Sequence, residues 1–370
     1  MNKPIALYNG TIYTNYDVLF GQSILIKDGL IEDIVDANTI PDQYEKYDLK
    51  GATICPGLID LQIYGTGSDL YSADLTSECI QRIENNLLKQ GCTTFYLTLA
   101  TNSIALFKEA ISIFKSSTRR SAAGLHLEGP FLNEKKRGAH PADLVIPIAV
   151  PVLVDLLSEA DDVVKIMTVA PELANIASLD YLKEKNILVS AGHSNATFEQ
   201  ATAAFDAGIP AVTHLWNAMS PLHHRDMGVP GATFNHDTVC ASIIVDGIHV
   251  DYDAVKLSKK MMGERLFLIT DAVASCSTSV YQHILNGDHY ILPDGTLSGS
   301  ALSLLMAIEN CVKNVNMDIG EAIRMATLYP ARLMKLQDVG QLKKGFRANI
   351  TAFDHDFNVK AVFLDGEKVV

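Results

Sequence analysis

Six polar or ionisable side chains in this sequence stand at or just beyond the ends of short apolar runs that read as buried strands. They are Gln62 closing ICPGLIDLQI, Glu128 closing AAGLHLE, His193 after NILVSAG, His214 in IPAVTHL, His249 just beyond CASIIVD, and Asp271 in RLFLITDA. A carboxylate at the end of a buried strand is costly to desolvate unless a partner holds it. One Glu and two His supply the oxygen and nitrogen donors of a catalytic divalent-metal site, with a further position left for water. Asp271 adds a carboxylate suited to general acid–base work. Each residue taken alone also has a structural reading. A strand-end His is more often a hydrogen-bonded scaffold group, Glu128 could pair with Lys135, and Asp271 could cap a helix. Their recurrence at one end of different strands favours a shared site.

The elements that must position these groups are legible as alternation. Eight β-rich runs are separated by stretches of helical character: 54–63, 92–99, 122–128, 164–170, 186–192, 209–215, 240–246 and 265–272. Two of those stretches, SECIQRIENNLLKQG and TFEQATAAFDAG, close on Gly just before the next run, as helices do. The pattern predicts an α/β protein, a (β/α)8 TIM barrel whose site lies at the carboxyl ends of its strands, with a doubly wound open sheet as the alternative. The two chain ends read differently. SILIKDGLIEDIV and AVFLDGEKVV each carry Asp-Gly between apolar runs, the signal of a tight hairpin. Neither end has enough strands to stand alone, so both are expected to build one small β-sandwich domain. The expected division is 1–54 with 345–370 for that domain and 55–344 for the catalytic barrel.

Composition narrows the function classes. The chain has 370 residues, 48% hydrophobic and 20% charged, which is ordinary for a protein with a sizeable core. Its net charge of −13 argues against nucleic acid and anionic membrane as partners. An anionic small substrate would need a local cationic anchor, for which KKR at 135–137 and HHR at 223–225 are candidates; the bland reading of both is a solvated loop. No signal peptide or membrane-spanning run is visible at the sequence level, and the six cysteines are scattered with no C-x-x-C. Reduced thiols in a cytoplasmic protein are the expectation.

PGLIDLQIYG, GLHLEGPFLNEKKRGAH, SAGHSNAT, THLWNAM, DGIHVD, ITDA and TLSGSAL, in that order, resemble the successive motifs of the N-acetylglucosamine-6-phosphate deacetylases of the amidohydrolase superfamily. MATLYPARLM and GQLKKGFRANITAFD resemble the superfamily's carboxyl-terminal signature. The resemblance runs from about residue 50 to the end. It implies a (β/α)8 barrel, a β-sandwich from both termini and a homodimer. Carried over by position, it implies Glu128, His193 and His214 as metal ligands and Asp271 as catalytic acid/base. It implies substrate contacts from His249 (to the carbonyl), Ala139, His140, Asn217, Ala218 and the backbone of Leu297, Ser298 and Gly299. Arg225 matches a phosphate-binding arginine that reaches the neighbouring subunit's site. One departure stands out. Most amidohydrolases carry His-x-His after the first strand to bind a second metal, and here Gln62 and Tyr64 occupy that vestigial position. An amide and a phenol are poor substitutes for two imidazoles. One divalent metal per chain is therefore expected, zinc by default, with iron, cobalt or cadmium compatible with the same donors.

The implied reaction converts N-acetylglucosamine 6-phosphate to glucosamine 6-phosphate and acetate. A metal can lower the pKa of water from about 15.7 to about 7. Asp271 would take the water's proton and pass it to the leaving amine. Three rivals remain at this stage: the same reaction on the galactosamine epimer, a dihydroorotase-like or N-acyl-amino-acid hydrolase, and a non-catalytic sugar-phosphate-binding barrel.

Overall fold

The computed structural model describes residues 3–160 and 162–370; Met1, Asn2 and Asp161 lie outside the described residues, so the first two positions of the expected terminal domain do too. Eight strands pair in chain order into one sheet. They are β1 (Leu58–Ile63), β2 (Cys92–Ala100), β3 (Ala122–Glu128), β4 (Val164–Val169), β5 (Leu188–Ala191), β6 (Ala211–Val212), β7 (Cys240–Ile243) and β8 (Leu266–Leu268). Registers from β2 through β8 are parallel. First and last strand join through a parallel bridge between Ile63 and Ala272, where the Asp271 N–H donates to the Gln62 carbonyl at 3.0 Å. A helix follows each strand: 77–89, 104–116, 150–156, 176–184, 198–206, 228–235, 252–262 and 304–313. This is the (β/α)8 barrel.

Local chemistry explains these elements. All six residues of β1 are buried, because a parallel strand covered on both faces reads as a continuous apolar run rather than an alternation. Helix 198–206 opens with a capping box, Thr197 accepting from the Gln200 N–H while Gln200 returns to the Thr197 N–H, and Gly208 at φ +109° ends its turn. Ser103, Asn175, Asp251 and Ser303 cap four further helices, each side chain accepting one backbone N–H of the first turn and each such cap contributing about 1 kcal/mol. The start of β3 is held by Glu84, whose Oε1 accepts from the N–H groups of Arg120 (2.7 Å), Ser121 and Ala122 (3.0 Å). That clamp sets the strand whose far end carries Glu128.

The apolar run at 54–63 is not one strand. Ile54, Cys55 and Pro56 finish the long strand Glu45–Pro56, and Gly57 separates it from β1. Glu45–Pro56 belongs to a second, eight-stranded sheet built from both termini: Ile5–Tyr13, Val18–Leu19, Gln22–Lys27 and Leu30–Asp36 join Ile350–Phe353, Val359–Leu364 and Glu367–Lys368. The two Asp-Gly signals are hairpin turns. Asp28-Gly29 has φ +51° and +81°, and Asp365-Gly366 has +51° and +74°, as a type I′ turn requires. Leu7, Ile24, Ile54, Ile350 and Phe363 pack in the core of this sheet.

By compactness the chain divides into two units, Met1–Asp60 with Asn85–Thr94 and Ser303–Val370, and Leu61–Glu84 with Phe95–Leu302. Every candidate site residue falls in the second unit.

Candidate active site

Glu128 is the centre of the site. Its carboxylate, 2% exposed, ends β3 among five polar groups drawn from other segments. Oε1 lies 3.1 Å from His214 Nε2, 3.3 Å from His193 Nε2 and 2.9 Å from the Gln62 amide nitrogen. Oε2 accepts from the Tyr64 hydroxyl at 2.5 Å and from His140 Nε2 at 3.1 Å.

The histidine partners differ in what they can do. His193 Nδ1 faces the Lys136 carbonyl at 3.0 Å, an acceptor, so Nδ1 carries the hydrogen and the Nε2 lone pair points at Glu128. His140 is the reverse. Its Nδ1 accepts from the Thr101 N–H at 3.2 Å, so Nε2 carries the hydrogen and donates to Glu128. Buried Glu128, His140 and His193 are close enough together to hold an ion, but a neutral His140 with that tautomer has no Nε2 lone pair to give. His214 Nε2 completes the arrangement, 3.1 Å from His193 Nε2.

Glu128 Oε1, His193 Nε2 and His214 Nε2 thus form a triangle with edges of 3.1, 3.1 and 3.3 Å. Tetrahedral zinc with ligands at 2.0–2.1 Å separates them by about 3.3 Å. A carboxylate oxygen and an imidazole lone pair face each other across one side, which is repulsive unless positive charge lies between them. The donor set and its spacing therefore fit a divalent cation.

The backbone at these strand ends is strained. His193 (φ +47°), His214 (φ +34°) and Asp271 (φ +54°) are all left-handed, at about 1–3 kcal/mol each. Gly192 is required before His193, since a Cβ there would stand 2.6 Å from Thr168 Cγ2. The loop after His193 is tied down by Glu172, just past β4, which accepts from Ser194 Oγ, the Asn195 N–H and Asn133 Nδ2, each at 2.7 Å. Nothing in the sequence reading singled out Glu172; its signal is a Pro-Glu pair immediately after a strand. The KKR segment, read as a solvated loop, keeps Lys135 exposed but contributes the Lys136 carbonyl to His193, and Arg137 Nη1 binds the His140 carbonyl at 2.6 Å.

Asp271 sits behind β8 with Oδ1 accepting from the Gln62 amide at 2.7 Å and the Tyr64 hydroxyl 3.4 Å away. It caps no helix. Burial pushes its pKa up to about 7; His214 opposes the rise and Glu128 adds to it. His249 has acceptors on both ring nitrogens, Asp246 Oδ2 at 2.6 Å and the Ser298 carbonyl at 2.7 Å. Burial opposes its charging, yet Asp246 prevails and holds it above its usual pKa, as a doubly protonated ring requires. To reach a substrate carbonyl, its Nε2–H must leave Ser298.

These groups line a cavity of about 240 Å³. Tyr64, Glu128, Ala139, His140, His193, His214, Asn217, Ala218, His249, Asp271, Leu297, Ser298 and Gly299 all face it. Gly299 packs its α-carbon against the Asp271 strand end, where a Cβ would meet the Asp271 carbonyl at 2.6 Å. Asn217 Nδ2 is buried with no hydrogen-bond partner among the described residues. Among the wall residues that the sequence did not single out are Tyr281 and His283, which lie on an irregular excursion after β8. His283 bonds Ser298 Oγ at 3.1 Å, and burial lowers it to about 4. Both nitrogens of His140 are already engaged by protein. Arg225 does not line the cavity; it is exposed on the 220s loop.

Comparison with known proteins agrees with this geometry. The amidohydrolase family profile matches residues 53–369, and the NagA composite domain matches residues 5–54. An N-acetylglucosamine-6-phosphate deacetylase of Haemophilus influenzae is 35% identical, over 98% of this chain and 98% of its own. The crystal structure of N-acetylglucosamine-6-phosphate deacetylase from Pasteurella multocida superposes with a TM-score of 0.94 at 33% identity, covering 99% of each chain. An aspartate-to-alanine variant of the Mycobacterium smegmatis deacetylase, in complex with N-acetyl-D-glucosamine-6-phosphate, superposes at 0.92 with 27% identity over 100% of each chain. A family profile spanning residues 53–369 and a deacetylase relative 35% identical over nearly the whole chain show that the chain belongs to the amidohydrolase family, in the branch of the N-acetylglucosamine-6-phosphate deacetylases.

Proposed function

We propose that this protein is a metal-dependent deacetylase that hydrolyses N-acetylglucosamine 6-phosphate to glucosamine 6-phosphate and acetate, in amino-sugar metabolism. The observation that carries the chemistry is the Glu128–His193–His214 triangle with Asp271 on the same cavity. One divalent cation per chain, zinc by default, would be held by Glu128 Oε1, His193 Nε2 and His214 Nε2. Such a cation supplies Lewis acidity toward the acetyl carbonyl and toward water.

The chain's own residues do the rest. The Asp271 carboxylate accepts one proton from the attacking water as the new C–O bond forms. It returns that proton to the sugar nitrogen as the C–N bond breaks, so the amine leaves neutral. A carboxyl with a pKa near neutrality suits both steps. His249 is a charged donor beside the same cavity and stabilises the developing oxyanion once its Nε2–H turns from Ser298. Asn217 Nδ2 is a buried donor available to a sugar oxygen. Ala139, Ala218 and the backbone of 297–299 shape the sugar's walls.

Arg225 we take as the phosphate anchor, serving the neighbouring subunit of a homodimer; its exposed position away from this chain's cavity supports that reading. A cytoplasmic setting is supported by six free cysteines and no disulfide among the described residues, and no described helix is long and apolar enough to cross a membrane. For domains we retain 1–54 with 345–370 and 55–344, supported by the composite-domain match that ends at 54.

Purified protein should release acetate from N-acetylglucosamine 6-phosphate with a higher kcat/KM than from the galactosamine epimer or the unphosphorylated sugar. No acetate from any of the three would refute the assignment.

A further inference from the structure

The second-metal position holds a hydrogen-bond bridge. Tyr64, 7% exposed, donates its hydroxyl hydrogen to Glu128 Oε2 at 2.5 Å and accepts from the Gln62 amide at 2.9 Å. That amide nitrogen also lies 2.9 Å from Glu128 Oε1 and 2.7 Å from Asp271 Oδ1. Two carboxylates that would otherwise repel across a buried gap are thus joined by neutral donors. The bridge also divides the labour of Glu128. Tyr64 and His140 occupy Oε2, leaving Oε1 as the oxygen that faces His193 and His214.

We propose that Tyr64 is a positioning residue whose phenol, with the Gln62 amide, takes the place of a second cation between Glu128 and Asp271. It presents Glu128 to the ion through Oε1 alone and restricts the site to one ion per chain. The inference rests on the metal-site reading above, but not on the substrate. Loss of a hydrogen-bond partner behind a metal ligand typically lowers metal affinity about 10–100-fold. The effect falls on metal binding itself, because Phe fills the same volume and Oε2 keeps its bond from His140.

The test is zinc binding by chelator competition, with elemental analysis of dialysed protein, on wild type, Tyr64→Phe and the double variant Gln62→His with Tyr64→His. Circular dichroism establishes that each is folded. The proposal expects one zinc per chain in wild type and in Tyr64→Phe, with the dissociation constant of Tyr64→Phe raised about 10–100-fold. It expects two zinc ions per chain in the folded double variant. An unchanged dissociation constant in Tyr64→Phe overturns the positioning role. A folded double variant that still binds one zinc overturns the substitution for a second cation. Should the double variant not fold, the Tyr64→Phe affinity decides alone. Failure of wild type to release acetate would count against the proposed substrate and leave these binding results standing.

Discussion

Replacing Asp271 by Asn isolates proton transfer from everything else the site does. Asn has the same shape, and its Oδ1 can still accept from the Gln62 amide, as Asp271 Oδ1 does at 2.7 Å. It belongs to no edge of the Glu128–His193–His214 triangle, so the metal donors are untouched. What is lost is the atom that takes and returns the proton. General acid–base catalysis is worth about 10²–10⁴-fold, or about 2.7–5.4 kcal/mol of barrier at 1.36 kcal/mol per decade. The assay is steady-state acetate release with metal content measured on the same samples. The expected result is kcat reduced by at least about two decades, with KM and metal stoichiometry near wild type. Wild-type kcat/KM should also fall as pH drops below the point where the carboxyl protonates, a limb absent from the variant. Stability moves the other way. A carboxyl raised from 3.8 to about 7 keeps its proton longer in the native state than in the unfolded chain. Native stability is therefore lost as pH rises through that window. The metal-free variant should melt higher than metal-free wild type at pH 8 and equally at pH 3.5. A kcat within threefold of wild type would show that Asp271 is not the proton carrier.

Glu128→Gln removes the only anion of the triangle, and elemental analysis should find most of the metal gone; full retention would take Glu128 out of the ligand set. Glu172→Gln weakens three bonds at the His193 loop, and zinc affinity should fall about tenfold or more in a folded protein, an unchanged value refuting the link. Arg225→Ala should raise KM for the phosphorylated sugar about 10–100-fold, the range of a lost charge-assisted hydrogen bond, with kcat little changed. Mixing Arg225→Ala with Asp271→Asn should give a fraction of sites with near-wild-type KM, seen as a rise in rate at low substrate over the sum of the two variants, because the arginine crosses between subunits; a strictly additive rate would show that it does not.

The barrel and much of its candidate site could be read from the sequence because the strands are buried apolar runs, and six of the eight carry one conspicuous polar residue at or just beyond their ends. Glu128, His193, His214 and Asp271 announce themselves that way. Asp-Gly marks both terminal hairpins for an equally local reason, the positive φ that a type I′ turn demands. What escaped notice depends on contacts across the fold. The tautomers that separate His193 from His140 are set by the Lys136 carbonyl and the Thr101 N–H, which no spacing reveals. Glu172 has apolar neighbours and looks like any loop carboxylate until the His193 loop folds onto it. Left-handed backbone at His193, His214 and Asp271 defies the residue types, since none is glycine. The strand break at Gly57 was hidden because apolar residues continue on both sides of it.

In the proposed mechanism one cation, held by Glu128, His193 and His214, enables this site to hydrolyse the amide. The most direct test is to strip the protein with a chelator, titrate zinc back, and follow acetate release from N-acetylglucosamine 6-phosphate. No turnover is expected at zero zinc, followed by a linear rise and a plateau at one equivalent per chain. Full turnover in stripped protein, or a rise that continues to two equivalents, would contradict it.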